Sequence, residues 1–296
     1  MSPARADRKI WRVIDLIHWA EEYFASRGFE NPRREIEWLL RDLLNCSRID
    51  LYLRFEEPLE KSQLETLRGW VKRRLNREPL QYITGTAEFY GLKFSVNPGV
   101  LIPRPETERV VDVAIHAAGN RESPRILDVG TGSGCIALAM AHELPQARVV
   151  ALDIAEEALE VARLNAQNLD ITNVRFIRMD FFKSTVDGPF DIVVSNPPYV
   201  TVDEMSSLMK DVVDYEPHHA LTDNNDGLSF YRRLAEVAPE LVRDGGCLVL
   251  EVGLGDHPRK AAALFKGKCF SEPELIADYN GDKRVLKVWV GQTRKS

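Results

Sequence analysis

The stretch Ile126-Leu127-Asp128-Val129-Gly130-Thr131-Gly132-Ser133-Gly134 decides the fold of this chain. Residues 126–129 predict a buried strand, and residues 134–143 predict the helix that follows it. The glycines allow the backbone to turn tightly and to approach a ligand closely, while the helix N-terminus directs N–H groups at that ligand. The spacing is G-x-G-x-G, and because Cys135 follows Gly134 the dinucleotide pattern G-x-G-x-x-G is not met. The loop therefore predicts a ligand site at the end of the first strand of a sheet.

Strands and helices alternate along the chain from Arg125 onward. This alternation predicts an α/β fold whose strands are mostly parallel. The predicted strands lie at residues 126–129, 148–152, 174–177, 190–194, 248–252, 274–277 and 285–290. We expect the last two strands to pair in antiparallel fashion at the edge of the sheet.

The ends of the next two strands carry residues that suit a nucleoside. Asp153 ends the second strand, about 20 residues after the glycine loop, where a carboxylate can accept both hydroxyls of a ribose. Asp180 and Phe181 follow the third strand, and an acid beside an aromatic ring can bind an exocyclic amine and pack on an adenine face. The pattern fits an adenosine ligand without a pyrophosphate, which favours S-adenosylmethionine over NAD.

A second candidate site is the stretch Ser195-Asn196-Pro197-Pro198-Tyr199, which follows the apolar run at residues 190–194. Two prolines remove two backbone donors and fix two φ angles, and the residue before a proline is pushed towards an extended conformation. The stretch predicts a stiff ledge that carries an amide side chain, backbone carbonyls and an aromatic ring. Such a ledge suits a planar group with two N–H donors, such as a carboxamide or an exocyclic amine. The alternative interpretation is a strand that ends in a Pro-Pro turn.

The pattern of the whole chain divides it into three parts. They are a helical bundle at residues 1–81, a β-hairpin linker at 82–103 with its turn near Gly91, and an α/β domain at 104–296. We expect Pro79 to end the bundle, and Ser62 with Glu65 to form a capping box at the start of one of its helices. The bundle shows no catalytic pattern, so its predicted role is partner binding.

Arg104 lies in a proline-rich segment at the start of the third part. It could face an anionic ligand, or it could pair at the surface with a nearby glutamate. The sequence leaves both interpretations open.

Length and composition exclude several classes of protein. The 296 residues are 44% hydrophobic and 28% charged, as is ordinary for a globular protein of two domains. The net charge of −6 argues against binding to nucleic acid by bulk electrostatics. No apolar run reaches the roughly 18 residues that span a bilayer, and the polar start at residues 1–9 predicts no signal peptide. The four cysteines form no C-x-x-C pair, which predicts reduced thiols in a cytosolic protein and no metal site.

With these pieces assembled, the chain resembles the HemK/PrmC family, the glutamine N5-methyltransferases of peptide chain release factors. The resemblance covers nearly the whole length. It is carried by the substrate motif at residues 196–199, the cofactor loop at 127–134, the interdomain signature at 101–108, and residues 216–217, 220–221, 227–228 and 230–232. The chain departs from the family pattern at Asp256, where glutamine is frequent, and at Lys283, where the family tail D-x-x-G-x-D-R-V has aspartate.

The resemblance implies a Rossmann-like seven-stranded methyltransferase domain, preceded by a small all-helical domain and a β-hairpin linker. It implies transfer of a methyl group from S-adenosylmethionine to the glutamine of the GGQ motif in release factors. The implied catalytic residues are Asn196, Pro197, Pro198 and Tyr199. The residues expected to bind the cofactor are Gly130, Thr131, Gly132, Ser133, Gly134, Asp153, Asp180, Phe181 and Asn196. We expect a cytoplasmic monomer that needs no metal and binds release factors, without membrane contact or direct nucleic-acid binding.

Two other functions compete with this one. An N6-adenine methyltransferase of DNA or RNA shares the NPPY motif, but it predicts a basic groove with stacking aromatic rings, and the acidic balance and the helical bundle count against it. A cofactor-binding module without catalysis predicts a broken ledge or a broken loop, and both stretches are intact.

Overall fold

The computed structural model describes residues 10–291, and the chain divides into two compact units between Gly85 and Thr86. The polar start at residues 1–9, for which we predicted no signal peptide, lies outside the described residues. Within residues 10–291 no helix is both long and apolar enough to cross a membrane.

The first unit consists of five helices around one apolar core. They are α1 Val13–Ala25, α2 Pro32–Leu44, α3 Arg48–Leu53, α4 Lys61–Leu75 and α5 Leu80–Thr84. The helical character of this part agrees with the sequence, but Pro79 does not end the bundle. It precedes α5 as the N-cap residue, since a proline is well suited to the start of a helix and unsuited to its interior.

The predicted capping box of Ser62 and Glu65 is wrong. Helix α4 begins at Lys61, and the box is formed by Glu60 and Gln63, with the Glu60 N–H donating to Gln63 Oε1 at 2.8 Å. The physical reason lies in the preceding residues. The Leu59 N–H donates to the Trp11 carbonyl at 2.9 Å, which holds the chain extended up to the point where the helix starts.

The second unit opens with a β-hairpin, β1 Thr86–Phe89 and β2 Leu92–Ser95. Its two-residue turn, Tyr90-Gly91, has φ angles of 51° and 71°, as the favoured two-residue hairpin turn requires. The turn lies where the sequence predicted it. The structure groups this hairpin with the second unit, where Asn165 binds the backbone N–H and carbonyl of Ser95 at 2.7 and 3.0 Å.

The rest of the second unit is a seven-stranded sheet with helices on both faces, as predicted. The strands are β3 Arg125–Val129, β4 Arg148–Asp153, β5 Val174–Arg178, β6 Phe190–Ser195, β7 Val242–Glu251, β8 Glu274–Ala277 and β9 Lys283–Val290. The helices are α6 Glu108–Ala118, α7 Cys135–Glu143, α8 Glu156–Asn168, α9 Val202–Met205, α10 Lys210–Tyr215, α11 His218–Leu221, α12 Ser229–Leu241 and α13 His257–Ala262. The short helices α9 to α11 were not predicted, because segments of four to six residues carry too little periodicity.

The strand order is β5-β4-β3-β6-β7-β9-β8. Strands β3 to β7 are parallel, and β9 pairs antiparallel with both β7 and the edge strand β8, which confirms the prediction for the last two strands. Every residue of β6 is buried, because one apolar layer, which includes α6 and α7, covers one face of the sheet and another, which includes α12, covers the other.

The strand order reverses between β3 and β6. From β3 the chain runs outward through β4 and β5, and it then returns to place β6 on the opposite side of β3. At such a switch point the loops after the two central strands diverge and leave a crevice at the carboxyl edge of the sheet. The glycine loop follows β3 and the Asn196 segment follows β6, so both candidate sites meet at this crevice.

Candidate active site

The ends of β3 and β6 are tied together by a side chain. Ser195 Oγ donates to the Val129 carbonyl at 2.6 Å, and Ser195 is fully buried. This bond fixes the last residue of β6 beside the start of the glycine loop. Asn196 follows directly, and its Nδ2 donates to Thr107 Oγ1 at 3.2 Å. Because Nδ2 faces Thr107, the Asn196 Oδ1 faces away from that hydroxyl.

Tyr199 is held on several sides. Its hydroxyl donates a hydrogen bond to Glu251 Oε1 at 3.0 Å and accepts one from Arg284 Nη2 at 2.9 Å. Its ring lies 5.8 Å from the ring of His257. Burial raises the pKa of Tyr199, with the Glu251 carboxylate acting in the same direction, so the phenol stays protonated at neutral pH. The side chain is therefore fixed as a neutral ring beside Asn196 and the two prolines.

The carboxylate of Glu251 connects Tyr199 with Thr107, the partner of Asn196. Glu251 ends β7, is fully buried, and accepts from Thr107 Oγ1 at 2.5 Å and from Arg284 Nη2 at 3.2 Å in addition to Tyr199. Burial raises the pKa of Glu251, while the bonds from Thr107 and Tyr199 and the charge of Arg284 act against that shift. A buried carboxylate is costly unless its oxygens are paired, and here both oxygens have donors.

The glycine loop has the backbone geometry that the sequence predicted. Gly130, Gly132 and Gly134 have φ angles of 75°, 55° and 82°, which side chains rarely tolerate. A Cβ atom added at Gly134 would lie 3.1 Å from the side chains of Ala162 and Leu138, so this glycine permits close helix packing. A Cβ atom at Gly130 or Gly132 would meet nothing within 4 Å, which leaves room for a ligand beside the loop.

Asp153 lies beside the same loop, at the end of β4. Its Oδ2 accepts from the Gly132 N–H at 2.8 Å, and its Oδ1 accepts from the Ala155 N–H at 3.0 Å. A carboxylate has about four acceptor positions, so each oxygen keeps capacity for one further donor. The loop and the acid are thus brought together, with acceptor capacity left for a diol.

Thr131 and Ser133, two further residues of the loop, are buried. Thr131 Oγ1 donates to Asp128 Oδ2 at 2.7 Å, and the Ser133 carbonyl accepts from Asn165 Nδ2 at 2.9 Å. The Thr131 side chain and the Ser133 backbone carbonyl therefore support the loop from inside. Cys135 packs against the same core, and burial raises its pKa to about 12, which suits an inert thiol.

Asp180 and Phe181 follow β5, at the far side of β4. Both oxygens of Asp180 have protein partners, Lys183 Nζ at 2.9 Å and the Phe182 N–H at 3.0 Å. The bond from Lys183 is the larger cause of the lowered pKa of Asp180, and the bond from Phe182 acts in the same direction. Phe181 is only 4% exposed and belongs to the core, whereas the neighbouring Phe182 is 45% exposed. Contact between this pair and an adenine stays a prediction.

Arg104 pairs with a glutamate, but not with one close in the sequence. Its guanidinium donates to Glu216, which is 4% exposed, and the Ile102 N–H donates to the same carboxylate at 3.2 Å. Glu216 lies between α10 and α11, so this bond ties the segment before Thr107 to the segment that follows Tyr199.

Sequence reasoning did not assign roles to Thr107, Glu251 or Arg284. Thr107 lies in the segment at residues 101–108, which served only as evidence of the family resemblance. Arg284 lies in the tail that was compared with the family pattern. Glu251 offered a signal, because a glutamate within the predicted strand at residues 248–252 is fully buried only when it is paired.

Both units of the chain match families of known proteins. Residues 15–85 match the family described as PrmC N-terminal domain, and residues 120–256 match a methyltransferase domain family. Release factor glutamine methyltransferase of Geobacter sulfurreducens is 40% identical over 283 residues, which cover 96% of this chain and 98% of the relative. The enzyme of the same name from Chlorobaculum tepidum is 42% identical over 292 residues, with 95% and 98% covered. Among solved structures, a methyltransferase of Pyrococcus furiosus superposes with a TM-score of 0.52 at 20% identity over 76% of this chain and 99% of its own.

Proposed function

This chain belongs to the release factor glutamine methyltransferase family, and on that premise we propose that it methylates the side-chain amide nitrogen (N5) of the GGQ glutamine in peptide chain release factors. The observation that carries the proposal is the fixed ledge at residues 196–199, which lies at the switch point of the sheet beside the glycine loop. The names of the relatives favour glutamine over the adenine alternative, which shares the ledge.

The proposed methyl donor is S-adenosylmethionine, which supplies a methyl group on a positively charged sulfur when it is bound. The residues present fit it. Asp153 keeps acceptor capacity for two ribose hydroxyls, and the open space at Gly130 and Gly132 lets the backbone approach the ligand. The candidate residues on this side remain those at 130–134, Asp153, Asp180, Phe181 and Asn196.

The proposed acceptor is a carboxamide, whose nitrogen is a poor nucleophile because its lone pair is conjugated. The Asn196 Oδ1 and the Pro197 carbonyl accept its two N–H groups and aim the nitrogen at the methyl group. Two oriented oxygens also stabilise the positive charge that develops on the nitrogen as its bond to the methyl group forms and the sulfur–methyl bond breaks. The nitrogen then loses one of its two protons to solvent, which leaves a neutral N-methyl amide. Pro197 and Pro198 contribute no backbone donor that would compete for these oxygens, and Tyr199 packs against the flat amide.

The proposed partner is an intact release factor, bound in part by the helical unit. All residues of the candidate site lie in the second unit, so the first unit supplies none of them and its proposed role is docking. We propose that the enzyme acts as a monomer in the cytoplasm, where translation ends, and that it binds no nucleic acid directly.

The test of the function is methyl transfer from labelled S-adenosylmethionine to a purified release factor. The matched control is the same factor with the GGQ glutamine replaced by alanine. We expect label on the first protein only. Equal label on both factors, or label on duplex or structured nucleic acid instead, would overturn the assignment.

The test of the donor site is Asp153→Asn. An asparagine cannot accept from Gly132, Ala155 and two hydroxyls at once, so we expect the donor Kd to rise about tenfold in isothermal titration calorimetry. The control is Asp170→Asn at an exposed residue whose φ of 54° an asparagine also adopts. Equal donor affinity in the two variants would remove Asp153 from the site.

A further inference from the structure

Five side chains, two of them from the ledge itself, form one continuous line of hydrogen bonds. Arg284 donates to Tyr199, and Tyr199 donates to Glu251. From the other end, Asn196 donates to Thr107, and Thr107 donates to the second oxygen of Glu251. Both arms therefore end on the same buried carboxylate.

The chemistry of Arg284 and Glu251 sets the direction of every bond. An arginine can only donate, and an ionised carboxylate can only accept. A hydroxyl that accepts from Arg284 turns its own hydrogen to Glu251. On the other arm, the Thr107 hydroxyl gives its hydrogen to Glu251 and can offer Asn196 only a lone pair. Asn196 must then present its nitrogen to Thr107 and its oxygen to the crevice.

We propose that Glu251 is the positioning residue of the active site and that, through Thr107, it keeps the Asn196 amide in the one orientation that accepts from the substrate. The proposal rests on the proposed function, since it concerns the same carboxamide acceptor. The opposite orientation of the amide would present a donor to the N–H groups of the substrate, and transfer would stop.

The burial of Glu251 supports this role. The residue is fully buried, and the Arg284 side chain that pairs with it is only 12% exposed. A buried ion pair often stabilises a fold no better than apolar residues of similar volume would. Stability alone is therefore a weak explanation for a carboxylate at this position, whereas the polarity of two hydrogen-bonded arms requires one.

The variant that cuts the link is Thr107→Val, which keeps the shape of the side chain and removes its hydroxyl. We expect kcat for methyl transfer to fall about tenfold at saturating donor, because the Asn196 amide loses its orientation. The donor Kd is measured in parallel, because Asn196 is also a candidate residue of the donor site and kcat has to be compared at saturating donor in every variant. Thr107→Ser restores the hydroxyl and should recover most of the lost rate. Glu251→Gln should also lower kcat, because an amide has only one oxygen to offer the two arms.

The decisive measurement is a double-mutant cycle with Asn196→Ala. If Thr107 acts through Asn196, Thr107→Val should lower kcat by less than about twofold once the amide is gone. A Thr107→Val rate within twofold of the wild type, or the full tenfold loss in the Asn196→Ala background, would overturn the positioning role. A wild-type enzyme that transfers no label to the release factor overturns the function itself, and the positioning role falls with it.

Discussion

At the scale of single residues, the proposed chemistry depends on one amide oxygen, that of Asn196. Ser195 fixes the backbone before Asn196, and Thr107 holds its nitrogen, so the oxygen is oriented before any substrate arrives. An acceptor that is already in place needs no reorganisation as charge develops, and this is why a single group can contribute strongly to the rate.

We therefore expect Asn196→Ala to lower kcat by about 100-fold, by analogy with the loss of one donor from an oxyanion hole. The measurement is single-turnover transfer to a release factor with the donor saturated, together with the donor Kd of the variant. Full turnover in this variant would show that the oxygen has no role in the reaction.

A second residue, Asp128, predicts a pH dependence of stability. It is fully buried in the strand before the glycine loop, and burial raises its pKa to about 7. Because the folded state holds this proton more tightly than the unfolded state, its contribution to stability is complete below about pH 4 and is lost as the pH rises through 7.

The measurement is urea unfolding of the wild type and of Asp128→Asn at pH 5 and pH 8. We expect the unfolding free energy of the wild type, relative to the variant, to fall by about 2.5 kcal/mol between these pH values. Other titrating groups cancel in the comparison. A constant difference would show that Asp128 keeps an ordinary pKa.

At the scale of elements, the loop after β6 is positioned by a backbone contact. A Cβ atom added at Gly227, just before α12, would lie 2.2 Å from the Tyr199 carbonyl oxygen, and the φ of Gly227 is 75°. The close approach requires a glycine, and it holds the ledge against the start of the helix that covers the sheet.

Gly227→Ala should therefore lower the free energy of unfolding by more than the strain of its φ angle alone would. Gly245 is the matched control, with a φ of 74° and nothing within 4 Å of an added Cβ. We expect Gly245→Ala to cost about 1 kcal/mol and Gly227→Ala about 2 kcal/mol more, with loss of methyl transfer in the second variant only. Urea unfolding and the transfer assay measure both effects, and equal costs would mean that the loop moves aside freely.

At the scale of the whole molecule, the candidate site belongs to one compact unit of the chain and the helical bundle forms the other. Every residue of the site lies after Gly85, and the helical unit has its own apolar core. We propose that the helical unit binds surface of the release factor beyond its glutamine.

Residues 86–296 alone should bind the donor with unchanged affinity but should transfer methyl groups to an intact release factor with a kcat/KM about 100-fold lower, which corresponds to about 2.7 kcal/mol of lost docking. A short peptide that contains the GGQ glutamine is the control, since it cannot use the docking surface and should react equally with both chains. Equal transfer to the intact factor would show that the helical unit does not dock.

The sequence by itself determined the longer helices and strands and the two segments of the site, the glycine loop and residues 196–199. The strand and helix pattern, the hairpin turn at Gly91, the glycine loop and the Asn196 segment could all be recognised, because each depends on residues close together in the chain. The alternation of strands and helices predicted a mostly parallel sheet, whose strands bring their carboxyl ends to one edge. The switch point between β3 and β6 depends on the strand order, which the alternation does not give.

Only the tertiary structure decided what supports the site. Thr107 and Glu251 are 144 residues apart, Arg104 and Glu216 are 112 apart, and Tyr199 and Arg284 are 85 apart. No local pattern encodes such pairs, since their meeting depends on the strand order and on how the segments around the sheet pack. The same long-range packing buries Phe181 and places the capping box at Glu60. The line of hydrogen bonds that orients Asn196 exists only once β6, β7 and β9 lie side by side in the folded sheet.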